Sequence, residues 1–63
     1  MRDYDTLRLR ALELARQGWV SPRELARELS IDVKDAKALM DELTEKGYLY
    51  RDGPLAITRE GWA

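Results

Sequence analysis

The sequence predicts an α+β domain, mostly α, in which three helices precede a short C-terminal β-hairpin. Three observations predict it. Apolar residues recur at helical spacing in three separate stretches. A strong helix-start signal, "SPRE" at residues 21–24, divides the first stretch from the second. Two β-prone runs, "YLYR" and "LAIT", flank "DGP" near the end of the chain.

The first helix is expected over residues 3–18, "DYDTLRLRALELARQG". Leu7, Ala11, Leu14 and Ala15 follow helical spacing, and Leu9 and Leu12 widen the apolar face. Asp3 or Asp5 caps its start, and Gly18 stands where a C-terminal stop belongs. Trp19 and Val20 then suffice for a very short strand or an extended bridge. In "SPRE", Ser21 is the N-cap, Pro22 takes the first helical position and Glu24 completes a capping box. The second helix runs from Pro22 to about Leu29, with Leu25, Ala26 and Leu29 on its inner face.

In the turn "SID", Ile31 points inward between two helices. Asp32 caps the third helix, and Asp35 takes the matching N3 place. This helix runs from Val33 to about Lys46. Ala36, Leu39, Met40 and Leu43 face the core, and Lys34, Lys37, Ala38, Asp41 and Glu45 lie opposite. Gly47 ends it. The hairpin pairs residues 48–51 with residues 55–59 and turns at Asp52, Gly53 and Pro54, because Pro54 cannot donate to a ladder.

Helix, tiny strand, helix, turn, helix, hairpin is the order of a winged helix-turn-helix. The 63 residues read as one such domain. A chain of this length buries only about 60% of its unfolded surface. A three-helix core closed by a hairpin is a workable solution at that size.

Composition narrows function. Cysteine and histidine are both absent. Disulfides, thiolate metal sites, the usual general base and the usual zinc ligand go with them. No nucleophile sits beside a base and no sizeable pocket is expected, so no enzyme, cofactor or metal centre is predicted. No apolar run approaches the roughly 18 residues of a membrane span. The start, "MRDYDTLRLR", lacks the apolar core of a signal peptide. These features predict a soluble, cytoplasmic protein. Met1 suggests a natural start, and the end just after the hairpin leaves room for a further C-terminal region.

Net charge is −1 over 37% charged residues, so the strongly basic balance of many nucleic-acid binders is absent. Asparagine is absent and Gln17 is the single glutamine. Such a composition is common in thermophile proteins, and a high-GC genome gives a similar arginine-rich look.

The run "SPRELARELSIDVKDAKALMDELTEKGYLYR" resembles the winged helix-turn-helix of bacterial and archaeal transcription regulators, including the multiple-antibiotic-resistance repressor type. The similar parts are "RELARELSI", "ALMDELTEKGYLYR" and the later "ITREG". The resemblance implies that DNA is touched by the start of the second helix, the first half of the third, and the wing. Position by position, it implies Ser21 and Arg23, then Lys34, Asp35, Lys37 and Ala38, then Arg51. The chain departs from the pattern in three ways. Its third helix lacks the usual exposed arginines and hydroxyl residues, its wing turn is very short, and it holds no long dimerisation helices.

The third helix carries a conflict, because DNA is a polyanion. From Asp32 to Lys46 there are five acids against three lysines. The lysines take the outward positions of the first half, where a reader helix enters the groove. Asp41 and Glu45 take those of the second half, which tilts away. Lys34 and Lys37 either meet phosphates and guanine edges, or form a solvated face in which Lys37 pairs with Asp41. Asp32 and Asp35 are either caps alone or obstacles to that approach.

Other features also divide two ways. Arg23 and Arg27 either face the DNA backbone or pair with Glu24 and Glu28. Arg51 and Arg59 flank the hairpin turn, as phosphate contacts or as a charged strand edge. Trp19, Tyr48, Tyr50, Leu55, Ile57 and Trp62 are expected mostly in core or hairpin packing. An exposed Tyr50 or Trp62 would instead anchor a partner or a second copy.

Two functions follow as expectations. One is a small winged-helix protein that binds double-stranded DNA, in transcription regulation or as the DNA-binding part of an assembly. It binds weakly as a monomer, with a salt slope of about 3 to 5, and gains from a second half-site. The other is a protein-interaction module without direct DNA contact. It recruits a homodimer copy or another protein through the hairpin or the acidic half of helix three.

Overall fold

The computed structural model describes residues 4–62. Their order is α1 (Tyr4–Arg16), α2 (Pro22–Leu29), α3 (Val33–Glu45), β1 (Leu49–Asp52), β2 (Leu55–Thr58) and α4 (Arg59–Trp62). The fold is α+β, mostly α, with three helices followed by a two-stranded antiparallel hairpin in a winged-helix layout.

Ala11 and Ala15 of α1 are buried, and Leu7, Leu12 and Leu14 pack against the core from its flanks. Leu9 does not widen this face, since it is 64% exposed. At 100° per residue it lies about 200° around the helix from Leu7. Asp5 is not a cap either. It sits in the first turn, and its carboxylate accepts from Arg8 at 2.7 Å. The alternative cap, Asp3, lies outside the described residues.

The start of α2 has the predicted cap and proline, but only half of the predicted capping box, since among the described residues the Glu24 side chain does not accept the Ser21 N–H. Ser21 has extended backbone, and its Oγ accepts the Glu24 N–H at 3.1 Å. Pro22, Leu25, Ala26 and Leu29 are buried. The helix ends on Ser30 with φ 57°, a left-handed residue that glycine usually supplies. Ile31 N–H donates to the Ala26 carbonyl at 3.0 Å, and Ser30 N–H to Arg27 at 3.4 Å. A side chain there costs conformational energy that glycine would not, partly offset by glycine's entropy when unfolded. Ser30→Gly is therefore expected to stabilise the fold by about 0.5 to 1 kcal/mol, read as a rise in denaturation midpoint. A fall in midpoint would show that the serine earns its place another way.

Ala36, Leu39, Met40 and Leu43 of α3 are all 1% exposed or less, as their spacing predicts. Asp32 occupies the N-cap position with extended backbone, yet its side chain makes no capping hydrogen bond. The far end closes on Gly47, whose φ is 87°. Gly47 N–H donates to Thr44 at 3.0 Å and Tyr48 N–H to Leu43 at 2.9 Å, which turns the chain sharply into β1.

The hairpin is tighter than its sequence suggests. Asp52 belongs to β1 and pairs with Leu55, leaving only Gly53 and Pro54 in the turn. Gly53 takes φ 61°, the positive value that favoured two-residue turns need at their first position. Tyr48 precedes β1, and Arg59 begins α4 rather than ending β2. Val20 forms an isolated antiparallel bridge with Ala56, its N–H donating at 2.8 Å and its carbonyl accepting at 2.9 Å. Of the very short strand or extended bridge expected at residues 19–20, the bridge is what forms, tying Val20 to the edge of the two-stranded wing.

The short helix α4 has no counterpart among the sequence expectations. Thr58 nucleates it, its Oγ1 accepting the Gly61 N–H at 3.1 Å. α4 folds back against α1 and β2. Its presence changes the aromatic expectation. Ile57 is buried beneath it, but Trp19, Tyr48, Tyr50, Leu55 and Trp62 remain exposed.

Arg8 ties α1 to α3. Its Nη2 and Nε both donate to Glu42 Oε2, at 2.8 and 3.2 Å, while its guanidinium lies 4.5 Å over the Tyr4 ring. The Arg8 hydrogen bond, followed by its charge, holds the Glu42 carboxyl below its ordinary range against partial desolvation. A carboxyl depressed in the folded state adds stability above its unfolded pKa, about 4.3. That stability is lost as pH falls through the folded value. Glu42→Gln is therefore expected to flatten the acid limb of the stability–pH curve below about pH 4.3. A limb as steep as in the parent chain would count against this pair.

Candidate nucleic-acid interface

α2 and α3 pack together as the two arms of the helix-turn-helix, joined by the turn at Ser30 and Ile31. The start of α2 carries Ser21 and Arg23. The Ser21 oxygen already serves as a cap acceptor, which leaves its hydroxyl proton for an outside acceptor. Arg23 is exposed, as is Arg27 one turn on.

The first half of α3 presents Lys34, Asp35, Lys37 and Ala38 to solvent. Among the described residues, neither lysine has an ion-pair partner. The Lys37–Asp41 pair, one of the two alternatives read from the sequence, is not formed. Asp41 is instead held from the wing by Arg51 Nη1 at 2.8 Å. Asp35 and Ala38 also line a groove of about 460 Å³ whose walls are Tyr4, Leu7, Ile31 and Leu39.

Arg51 is the site residue whose setting differs most from expectation. Its strand position directs it across the wing to α3, where it closes on Asp41. It is therefore not a free cation on a reaching wing tip. Glu42 is likewise bound by Arg8, with Lys46 Nζ 3.7 Å away. Of the five acids in α3 and its caps, Asp41 and Glu42 are neutralised from outside the recognition face. Asp32, Asp35 and Glu45 have no ion-pair partner among the described residues.

The surface that results is mixed. Arg23, Arg27, Lys34 and Lys37 are exposed, and so are Glu24, Glu28, Asp32 and Asp35. Four cations and four anions do not make a strong electrostatic footprint, so any contact with a polyanion depends on individual lysines and arginines.

A second feature lies on the wing, where sequence reasoning placed packing. Trp19, Tyr50, Arg51, Asp52, Arg59 and Trp62 line a groove of about 630 Å³. Trp19 and Trp62 meet edge to face at 5.7 Å, and Arg59 Nε donates to the Tyr50 hydroxyl at 3.1 Å. The signal that could have found it is "TREG". A threonine three residues before Gly61 is an N-cap spacing, and the helix it starts carries Trp62 to Trp19.

No protein-family model matches the chain, and comparisons with curated proteins and with solved structures gave no match either. Among the described residues no helix is long and apolar enough to cross a membrane.

Proposed function

We propose that the chain is a winged-helix DNA-binding module, serving as a small transcriptional regulator or as the DNA-binding part of an assembly. The observation that carries this reading is the division of charge on α3. On its outward first half Lys34 and Lys37 have no ion-pair partner among the described residues, while Arg51 neutralises Asp41 behind them. A recognition helix enters the major groove with its N-terminal residues. Both lysines then act as point charges toward phosphates or guanine edges. Arg23 and the Ser21 hydroxyl, at the start of α2, take the adjoining backbone. Asp35 sits among them and lowers affinity.

With Arg51 held by Asp41, the cations in this reading are Arg23, Lys34 and Lys37. Three neutralised phosphates give a salt slope of about 3, the lower end of the range expected from the sequence. Titration of duplex DNA at low salt, followed by amide NMR, tests the reading. Shifts should concentrate in residues 21–38. The Lys34→Ala, Lys37→Ala double variant should lower the slope by about 2 and weaken binding evenly across sequences. Residues 21–38 left unmoved by DNA would overturn it.

The second reading, a protein-interaction module without DNA contact, is favoured by one observation. Trp19, Tyr50 and Trp62 expose aromatic surface on the wing, the residue types that anchor protein interfaces. A folded chain that ignores DNA but associates through these residues would follow from it.

A further inference from the structure

We infer that the outer face of the wing sheet is a homodimer interface, and that its occupant is the same face of a second copy of this chain. The inference does not rest on the DNA reading.

The sheet register sets the face. Val20 pairs with Ala56 and Ala56 with Arg51, so these three form one row across the sheet. Val20 and Ala56 point into the core, and Arg51 reaches α3. The neighbouring row is Trp19, Ile57 and Tyr50, and strand alternation sends it to the opposite face. α4 covers Ile57 and adds Trp62. Trp19, Tyr50 and Trp62 are left 36%, 41% and 64% exposed on this outer face. Aromatic rings grouped in water are costly for a chain this small, and burying them is the main energy of many interfaces.

Charge selects the occupant. A nucleic-acid strand stacking on these rings would need a positive groove. Arg51 is neutralised by Asp41, which leaves Arg59 and Asp52 as the remaining charges of the groove lining. One cation and one anion suit a copy of the same face.

Their placement suits it too. Asp52 pairs with Leu55 in the row at the tip, Tyr50 with Ile57 in the middle row, and Arg59 follows Thr58 at the base. Alternate rows on one face are about 7 Å apart. Consider a two-fold axis between the two facing sheets, running across the strands above the middle row. It lays the tip row of each copy over the base row of the other. Arg59 then meets the partner's Asp52 twice, by symmetry, with the aromatic residues between. Arg59 already leans toward β1, donating only its Nε to Tyr50, so its outer nitrogens can serve a carboxylate.

Sedimentation equilibrium of the full chain, from micromolar to millimolar concentration, tests the proposal. The mass should rise from 7.3 kDa toward twice that value. Trp62→Ala, Arg59→Asp and Asp52→Arg should each weaken dimerisation by about tenfold or more, because ring burial or the charge pair is lost. Combining Arg59→Asp with Asp52→Arg should restore it to within about threefold, since the reciprocal pair is rebuilt. Leu9→Lys, on the exposed side of α1, should leave it unchanged. Circular dichroism confirms that each variant is folded. A monomer at all concentrations, a double variant that fails to recover, or a dimer lost through Leu9→Lys would each overturn the proposal.

Discussion

Leu43→Ala is expected to leave the domain only marginally folded at room temperature. Leu43 is fully buried, among the four largest enclosed side chains of the described residues. It also lies where α3 hands over to the wing, because its carbonyl accepts the Tyr48 N–H that starts the turn into β1. Truncating a core leucine costs about 2 to 5 kcal/mol, the spread reflecting how far the site can collapse. At 0.05 to 0.15 kcal/mol per residue, 63 residues hold only about 3 to 9 kcal/mol in all. The backbone on either side of the α3–β1 turn is fixed by hydrogen bonds from Gly47 N–H to Thr44 and from Tyr48 N–H to Leu43 itself. Collapse should be incomplete and the loss about 3 to 4 kcal/mol. In a domain of this size that lowers the melting temperature by at least about 12 °C. The matched control is Leu9→Ala, the same chemical change at an exposed position, which should stay within about 0.5 kcal/mol of the parent. Equal effects from the two variants would mean that the packing of α1 and α3 is wrongly described.

That contrast also shows which parts of the fold were legible from sequence. α3 repeats its apolar positions cleanly, and its four core residues could be named. α1 carries leucine on more than one side, so the count of leucines at residues 7–14 overstated the face. Only the phase of the wheel separates Leu9 from Leu7. The SPRE start was legible because a cap, a favoured proline and a glutamate agree locally.

The site was less legible because its decisive contacts are long-range. Lys37 and Asp41 are one turn apart, and a local rule pairs them. Arg51, ten residues away in sequence, wins because the hairpin delivers it to Asp41 at 2.8 Å. The same limit hid Arg8 and Glu42, which lie 34 residues apart. Counting acids along α3 therefore misjudged its surface, since two of them are answered from other elements. The aromatic groove was hidden for a further reason. Its walls come from Trp19 beside the Val20 bridge, from β1 and from a four-residue helix, and only the tertiary fold assembles them.

Gly61→Ala is expected to detach α4 and cost about 1 to 3 kcal/mol, although alanine is the better helix former. The reason is the closeness of α1. A Cβ at Gly61 would stand 2.7 Å from the Ala15 carbonyl oxygen, 3.1 Å from that of Arg16 and 2.8 Å from Ile57 Cγ1. Two of the three neighbours are backbone atoms in the last turn of α1, which cannot yield without moving the helix. Ala15 is itself fully buried, so α1 has no slack behind it. Space rather than backbone conformation thus demands glycine here. The alternative to strain is release, in which α4 lifts away, Ile57 meets water and Trp62 leaves Trp19. Tryptophan fluorescence should report that separation, and the Gly61 amide should lose the protection given by Thr58 Oγ1. The two effects must appear together, because one docked helix supplies both. A variant as stable as the parent, with unchanged fluorescence, would mean that α4 does not dock on α1. The variant also separates the two surfaces of the molecule. It should abolish pairing through the wing while leaving Lys34 and Lys37 of α3 as they were, so self-association and DNA contact should respond independently to one methyl group.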